Sequence, residues 1–296
     1  MKMLVFGSLN IDHVYQIDHL VKGGETLSSV HYQRNEGGKG LNQAIALSKA
    51  GQETWMAGAI GEDGLFLRTF LQSFHVNTDA IRILSAPTGH AIIQVDQQGQ
   101  NSIILYGGAN QQITPDMAKA TLNSFASGDY LLLQNEISSG EQILRAAKAR
   151  GLQVVLNPSP FSSTLLTWPL EMVDWFIFNE IEGEDMTGQT DPLRILDAMV
   201  TRYPHARHIL TLGDKGAIYA YHSQRLFQSA LSVHPVDTTA AGDTFTGYFF
   251  QAVLEGKTIQ QALQAGACAA AITVSRKGAG KSIPFREEVN ALMQNT

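Results

Sequence analysis

The chain has 296 residues, 44% hydrophobic and 16% charged, with 21 Lys and Arg against 27 Asp and Glu for a formal net charge of −6. That balance suits a globular protein with a large core and argues against a general nucleic-acid or anionic-membrane surface. A single cysteine, Cys268, excludes a disulfide framework or a cysteine-built metal cage, and its Ala/Gly-rich surroundings predict a small buried packing residue.

The first element in chain order is a short apolar strand, Met3–Phe6, reaching Gly7. Nothing there reads as a targeting leader, so a cytoplasmic location is expected. In Gly7-Ser8-Leu9-Asn10-Ile11-Asp12, Asn10 and Asp12 stand two apart, on one face of an extended segment. Ile11–Ile17 with Thr26–Gln33, and Ala91–Asp96 with Ser102–Tyr106, read as antiparallel strand pairs, the second turning at Gln97–Gln100. These pairs predict a small sheet apart from the main one. Its apolar residues fall at neighbouring positions (Val14 with Tyr15, Ile92 with Ile93, Ile103 to Leu105), so both faces want cover, one from a ligand and the other from a second subunit.

Between these pairs, Asn35–Ala44 is rich in glycine (Gly37, Gly38, Gly40). Lys39 and Asn42 would point from the start of a helix, Leu41–Ala50, toward a ligand, and an Asn that donates and accepts suits a polyhydroxylated one. The segment also reads as a plain loop-to-helix turn. Further apolar runs follow at Thr54–Ala57, Tyr130–Leu133, Val154–Leu156, Trp175–Phe178 and His208–Leu212. They alternate with helical patterns at Leu65–Phe74, Glu141–Ala149, Leu193–Arg202, Thr244–Leu254 and Ile259–Val274. Strands apolar on both faces in βαβα order predict an α/β fold, a mainly parallel sheet flanked by helices on each side. Glu136 and Asn179 follow strands at their C-terminal ends, as Asn10 and Asp12 do, where open α/β sheets bind ligands. No composition break marks a linker, so one domain over 1–296 is expected, with lid strands at about 11–33 and 88–106. No apolar run approaches the ~20 residues a membrane helix needs.

The most informative stretch is Val236-Asp-Thr-Thr-Ala-Ala-Gly-Asp-Thr-Phe-Thr-Gly247. Small residues leading into a helix leave first-turn amides open to an anion, which the helix dipole favours. Asp243 in that turn admits two readings from the residues alone. It caps the helix, or it takes a proton from the group that attacks the anion. Two near-matches fail: Ala279-Gly280-Lys281-Ser282 lacks the glycine a phosphate-binding P-loop needs at Ser275, and Gly58–Gly64 lacks dinucleotide-binding spacing. The nine histidines form no helical zinc-binding pair and read mostly as surface residues.

These segments together resemble the ribokinase-like (PfkB) sugar kinases, from Met3 to about Val289. The resemblance is carried by Gly37-Gly38, Gly40, Asn42, Ala44, Gly51 and Gly61, then Asn157–Pro160, Asn179–Glu182, Thr211–Gly216, Asp237–Asp243 and Arg276–Ala279, all in order. It implies a three-layer α/β domain with a β-sheet lid, transfer of phosphate from ATP to a sugar hydroxymethyl, Mg²⁺, a monovalent cation such as K⁺, and a homodimer through the lid. It implies sugar contacts from Asn10, Asp12, Gly38, Lys39, Asn42 and Glu136, with Asp243 as base and the Ala240, Ala241, Gly242 and Asp243 amides as anion hole. Asn179 and Glu182 would serve the phosphates and Mg²⁺, and Thr211, Gly213, Asp214 and Gly216 the nucleotide, with Gly242 also near it. Asp237, Thr239, Thr273, Arg276, Gly278 and Ser282 would form the K⁺ site, mostly through backbone oxygens.

Departures from the pattern are Leu41, which could trim the sugar pocket, Tyr248 beside Gly247, Ala267 near the adenine, and the lid around His90. By the same resemblance, Asn10 favours a 2-hydroxylated sugar. Ribose is the leading acceptor, deoxyribose, a hexose, a sugar acid or a nucleoside are alternatives, and a non-catalytic sugar or nucleotide sensor is the reading from another class.

Overall fold

A computed structural model describes residues 1–294. Its strands, in chain order, are β1 (Met3–Phe6), β2 (Asn10–Gln16), β3 (His31–Gly37), β4 (Thr54–Ile60), β5 (Asn77–Ile83), β6 (Gly89–Val95), β7 (Asn101–Tyr106), β8 (Tyr130–Gln134), β9 (Gln153–Asn157), β10 (Trp175–Asn179), β11 (Arg207–Thr211), β12 (Ala217–Tyr221) and β13 (Gln224–Gln228). The helices are α1 (Lys39–Lys49), α2 (Leu65–Ser73), α3 (Pro115–Leu122), α4 (Gly140–Ala149), α5 (Glu180–Thr187), α6 (Pro192–Arg202), α7 (Ala241–Leu254), α8 (Ile259–Val274) and α9 (Arg286–Met293).

The main sheet runs β13-β12-β11-β10-β9-β8-β1-β4-β5, parallel except where β12 and β13 turn back. Alternate residues of its strands feed two separate cores. Met3 and Val5, Trp175 and Ile177, and Ile209 pack with α1, α7 and α8, whereas Leu4 and Phe6, Phe176 and Phe178, and Leu210 pack with α4 and α6. A strand buried on both sides must be apolar at every position, and that is why these strands were legible as continuous runs. The three-layer fold expected from the βαβα order is borne out, as is burial of Cys268.

The second sheet, β3-β2-β6-β7, stands apart as expected. Its first pair is shifted. Residues 26–30 form no strand, and β3 runs on to Gly37, which pairs with Asn10. The polar run His31–Glu36 gave no alternation to read, and the glycines after it looked like loop. Strands β5, β12 and β13 and helices α3 and α9 were also missed. β5 and β13 lie at sheet edges, where one face meets water and polar residues are free to alternate irregularly. β12 is internal, and its short run Ala217–Tyr221, buried except at the last residue, lies beside the turn at Gly213–Gly216. Helix α5 has no apolar period and starts instead from a side-chain cap at Asn179. His208 is fully buried, against the surface reading of most histidines. No helix among the described residues is long and apolar enough to cross a membrane.

Candidate active site

Successive strands on either side of β1 progress in opposite directions, through β4 to β5 one way and through β8, β9, β10 and β11 the other. The crevice at the carboxyl ends of strands beside such a reversal is the usual ligand position of open α/β sheets. Ser8, Glu136, Asn157, Ser159, Asn179 and Thr211 all follow or end these strands, and α1 and α7 begin over them. Lys39, Asn157, Asn179, Glu182, Thr211, Thr238, Ala240, Ala241, Gly242 and Asp243 line one cleft of about 240 Å³ there.

Asp243 sits at the third position of α7 and is 8% exposed. The position that caps α7 belongs to Ala240, in the left-handed conformation (φ 61°), with no side-chain cap bond. Asp243 is therefore not the cap. Its carboxylate turns toward α1 instead, where Gln43 Nε2 donates to Oδ1 at 2.9 Å and Asn42 Nδ2 donates to Oδ2 at 3.2 Å. Burial raises its pKa, against the pull of Lys39 and the two amide donors. The backbone N–H of Ala241 donates to the Thr238 carbonyl at 3.3 Å, while those of Gly242 and Asp243 belong to the first turn, where no intrahelical acceptor exists.

Lys39 joins this end of the cleft to the lid side. Burial alone would lower its pKa, but Asp243, Glu136 and Glu182 around it raise it, so the ammonium stays charged. Glu136 accepts from the Ser8 hydroxyl and, at 3.3 Å, from the Lys39 amide, and burial raises its pKa. Asp12 is pushed up to about 7, by burial first and then by Glu136. A Cβ on Gly37 would fall 2.2 Å from the Asp12 carboxylate, and Gly38 holds φ 101° against the Ser8 carbonyl, so these glycines let β3 pass the lid acids closely. Asn10 Oδ1 accepts from Asn110 Nδ2 at 2.8 Å, which leaves its own amide hydrogens free to donate. Of the six residues assigned to the sugar, Asp12, Lys39 and Glu136 are joined by a bond or facing charges and Gly38 with Asn42 by a backbone bond, Asn10 bonds to Asn110 instead, and only Lys39 lines the cleft.

On the phosphate side, Asn179 and Glu182 cap α5 reciprocally. The Glu182 amide donates to Asn179 Oδ1 at 2.9 Å, and the Asn179 amide to Glu182 Oε2 at 3.0 Å. One carboxylate oxygen of Glu182 is left for the cleft. No cluster of three His, Cys, Asp or Glu able to hold a metal occurs among the described residues. A lone carboxylate fits Mg²⁺, which binds through one or two protein carboxylates and otherwise through substrate phosphates and water. Of the residues assigned to the nucleotide and its phosphates, Asn179, Thr211 and Gly242 line the cleft; Gly213 and Asp214 form the tight turn beyond it and Gly216 follows that turn.

Asp237 pins two loops together. Its Oδ1 accepts from the Thr239 amide (2.9 Å), its Oδ2 from the Gly278 amide (3.0 Å), and its own N–H donates to the Val274 carbonyl (3.2 Å). Nearby, the Arg276 amide donates to the Thr273 carbonyl and the Ser282 hydroxyl to the Ala279 carbonyl. The Arg276 side chain turns away to Glu288. These bonds tie the 237–239 and 273–282 segments together around one carboxylate and several backbone carbonyls.

Leu41, on α1, is fully buried in the core and lines no part of the cleft, so it does not trim the sugar pocket. Tyr248 packs α7 onto the C-terminal segment through a bond to the Pro284 carbonyl (2.8 Å). Sequence reasoning missed Ser8, Gln43, Asn110, Gln134 and Asn157. A glutamine ending the apolar run of β8, and another on the buried face of α1, were signals available to it.

Residues 1–286 match the family described as pfkB family carbohydrate kinase. The chain is 35% identical to a ribokinase of Haemophilus influenzae, over 99% of this chain and 98% of that protein. Its fold superposes on a Thermotoga maritima ribokinase with a TM-score of 0.88 and 34% identity, covering 99% of each chain. An Arabidopsis thaliana ribokinase solved with ribose and ATP gives 0.85 and 32%, over 99% of this chain and 98% of that one.

Proposed function

We propose, from the premise that this chain belongs to the pfkB family of carbohydrate kinases, that it is a ribokinase which transfers the γ-phosphoryl group of ATP to the 5-hydroxymethyl of D-ribose. The observation that carries the reading is the placement of Asp243. It is a buried carboxylate held by amide donors beside the unpaired first-turn amides of α7, in one cleft with Lys39.

Lid residues and a residue at a main-sheet strand end do the binding. Asp12 and Glu136 accept from sugar hydroxyls, and Asn10, its Oδ1 already used, donates to a sugar oxygen. Together they aim the hydroxymethyl at Asp243. The hydroxymethyl oxygen attacks the γ-phosphorus, a new O–P bond forms as the β,γ-bridging P–O bond breaks, Asp243 takes the hydroxyl proton, and ADP leaves. The Gly242 and Asp243 amides, with the α7 dipole, face the charge that develops on the phosphoryl oxygens, and Lys39 adds a full positive charge. Mg²⁺, when bound, neutralises phosphate charge, with Glu182 as its protein carboxylate. K⁺ would be held by Asp237 and the carbonyls of the 236–239 and 273–282 loops, fixing the loop that presents those amides. Thr211 and the Gly213–Gly216 turn border the nucleotide.

The chain acts as one kinase domain with the small sheet as lid. All six residues of β7 are exposed, among them Ile103, Ile104, Leu105 and Tyr106, and a second copy of the chain laid on this lid would cover them. A cytoplasmic location fits a reaction that draws on ATP. The test is ADP release measured across ribose, 2-deoxyribose, hexoses and nucleosides. The reading expects ribose to give the highest kcat/KM, and a higher value for a nucleoside or hexose would overturn the substrate assignment.

A further inference from the structure

We propose that Gln43 and Gln134 form a positioning pair that fixes the Asp243 carboxylate in the orientation from which it takes the sugar proton; this rests on Asp243 being the base. Neither glutamine lines the cleft, and they are 1% and 0% exposed. Gln43 Oε1 accepts from Gln134 Nε2 at 2.6 Å, while Gln43 Nε2 donates to Asp243 Oδ1 at 2.9 Å. A side-chain amide has one accepting and one donating end, so committing the oxygen to Gln134 forces the NH₂ toward Asp243. Turned round, Gln43 would aim its carbonyl at the carboxylate and repel it.

A second contact enforces the same orientation. Asn157 Nδ2 donates to the Ile177 carbonyl at 2.8 Å, which points its Oδ1 at Gln43 Nε2, 3.4 Å away. Gln134 in turn occupies space opened by Gly7, where a Cβ would lie 1.9 Å from Gln134 Oε1. That Oε1 is buried without a partner among the described residues, a cost that Leu or Met at the end of β8 would avoid. Packing alone therefore does not account for an amide there, whereas orienting Gln43 does.

The charged groups around Asp243 are Lys39 of α1 and Glu136 after β8, with Glu182 of α5 facing Lys39 and Asp12 of β2 facing Glu136. Loss of a donor to the charged carboxylate disfavours ionisation, so the acid limb of kcat against pH should move to higher pH.

The experiment measures kcat, both KM values and the pH profile for Gln43→Met, Gln134→Met and Gln134→Glu. Gln43→Met should lower kcat roughly 10- to 100-fold, as a sub-ångström to ångström misplacement does, with KM within about twofold and the acid limb raised. Gln134→Met should do the same to a smaller extent. Near-isosteric Gln134→Glu, whose carboxylate turns Gln43 round, should do more harm than Gln134→Met. Wild-type kcat and acid limb in Gln43→Met, or in both Gln134 variants should Gln43→Met not fold, would overturn the proposal. Asp243→Asn run alongside separates the two ideas. If it keeps turnover, the base assignment fails; if it is inactive while the glutamine variants match wild type, only the positioning pair fails.

Discussion

Replacing Asp243 by Asn should abolish most turnover while sparing the fold, and the hydrogen bonds around it show why. Asn has a single acceptor oxygen, so it cannot accept from both Gln43 Nε2 (2.9 Å) and Asn42 Nδ2 (3.2 Å). A donor left facing a donor would cost about 1–3 kcal/mol. Gln43 cannot turn to relieve this, because its Oε1 is held by Gln134. Asn42 can, because its Oδ1 is buried with no partner and a half-turn of its amide would offer that oxygen to the new NH₂. Removing a buried charge that burial already disfavours offsets part of the remaining cost. Folding stability should thus change little, by about 1 kcal/mol or less, a shift of a few degrees at most in a thermal melt of a chain this size. Turnover should fall ~10²- to 10⁴-fold, the usual span for losing a positioned general base. Steady-state ADP release together with a melt measures both. A variant within tenfold of wild-type kcat would refute the base assignment. A collapse in Tm with residual turnover in the folded fraction would mean that Asp243 serves the fold.

Four further outcomes follow from the same geometry. With its pKa pushed up to about 7, Asp12 is protonated in acid and cannot accept from two sugar hydroxyls, so KM for the sugar should climb roughly tenfold per pH unit below about 7. The sign for stability is opposite. The sugar-free protein binds this proton more tightly than the unfolded chain, so the contribution of Asp12 is fully present below about 3.8 and is lost as pH rises through about 7, and Asp12→Asn should raise Tm at pH 8 more than at pH 5. Exchange of potassium for tetramethylammonium at constant ionic strength should lower kcat with little change in sugar KM, and sodium should rescue it less well than potassium; equal rates in all three would leave Asp237 as a turn residue only. Light scattering at micromolar concentration should give a dimer mass, and Ile104→Glu on the exposed β7 should give a monomer; an unchanged mass in the variant would place any interface elsewhere.

What could be read from the chain beforehand followed the physics of burial. Most strands with two buried faces announced themselves as apolar runs, though β12 (Ala217–Tyr221) did not, and the start of α7 stood out because small residues must precede amides that a ligand reaches. Edge strands β5 and β13 were invisible, since half their surface meets water and carries no pattern. The role of Asp243 was ambiguous in sequence because acids at helix starts do cap. Only in the folded chain is it evident that Ala240 occupies the capping position and that the carboxylate turns to α1. Gln43, Gln134 and Asn110 were missed for a different reason. Their meaning lies in partners that are 200, 91 and 100 residues away in the chain, a pairing no local pattern encodes.

The most direct test of the account is to identify the product. Phosphorus NMR of the protein incubated with D-ribose, ATP and Mg²⁺ should show one phosphate ester on the 5-hydroxyl of ribose for each ADP formed, and none above background with Asp243→Asn. ADP accompanied by free phosphate, or an ester at another ribose hydroxyl, would contradict it.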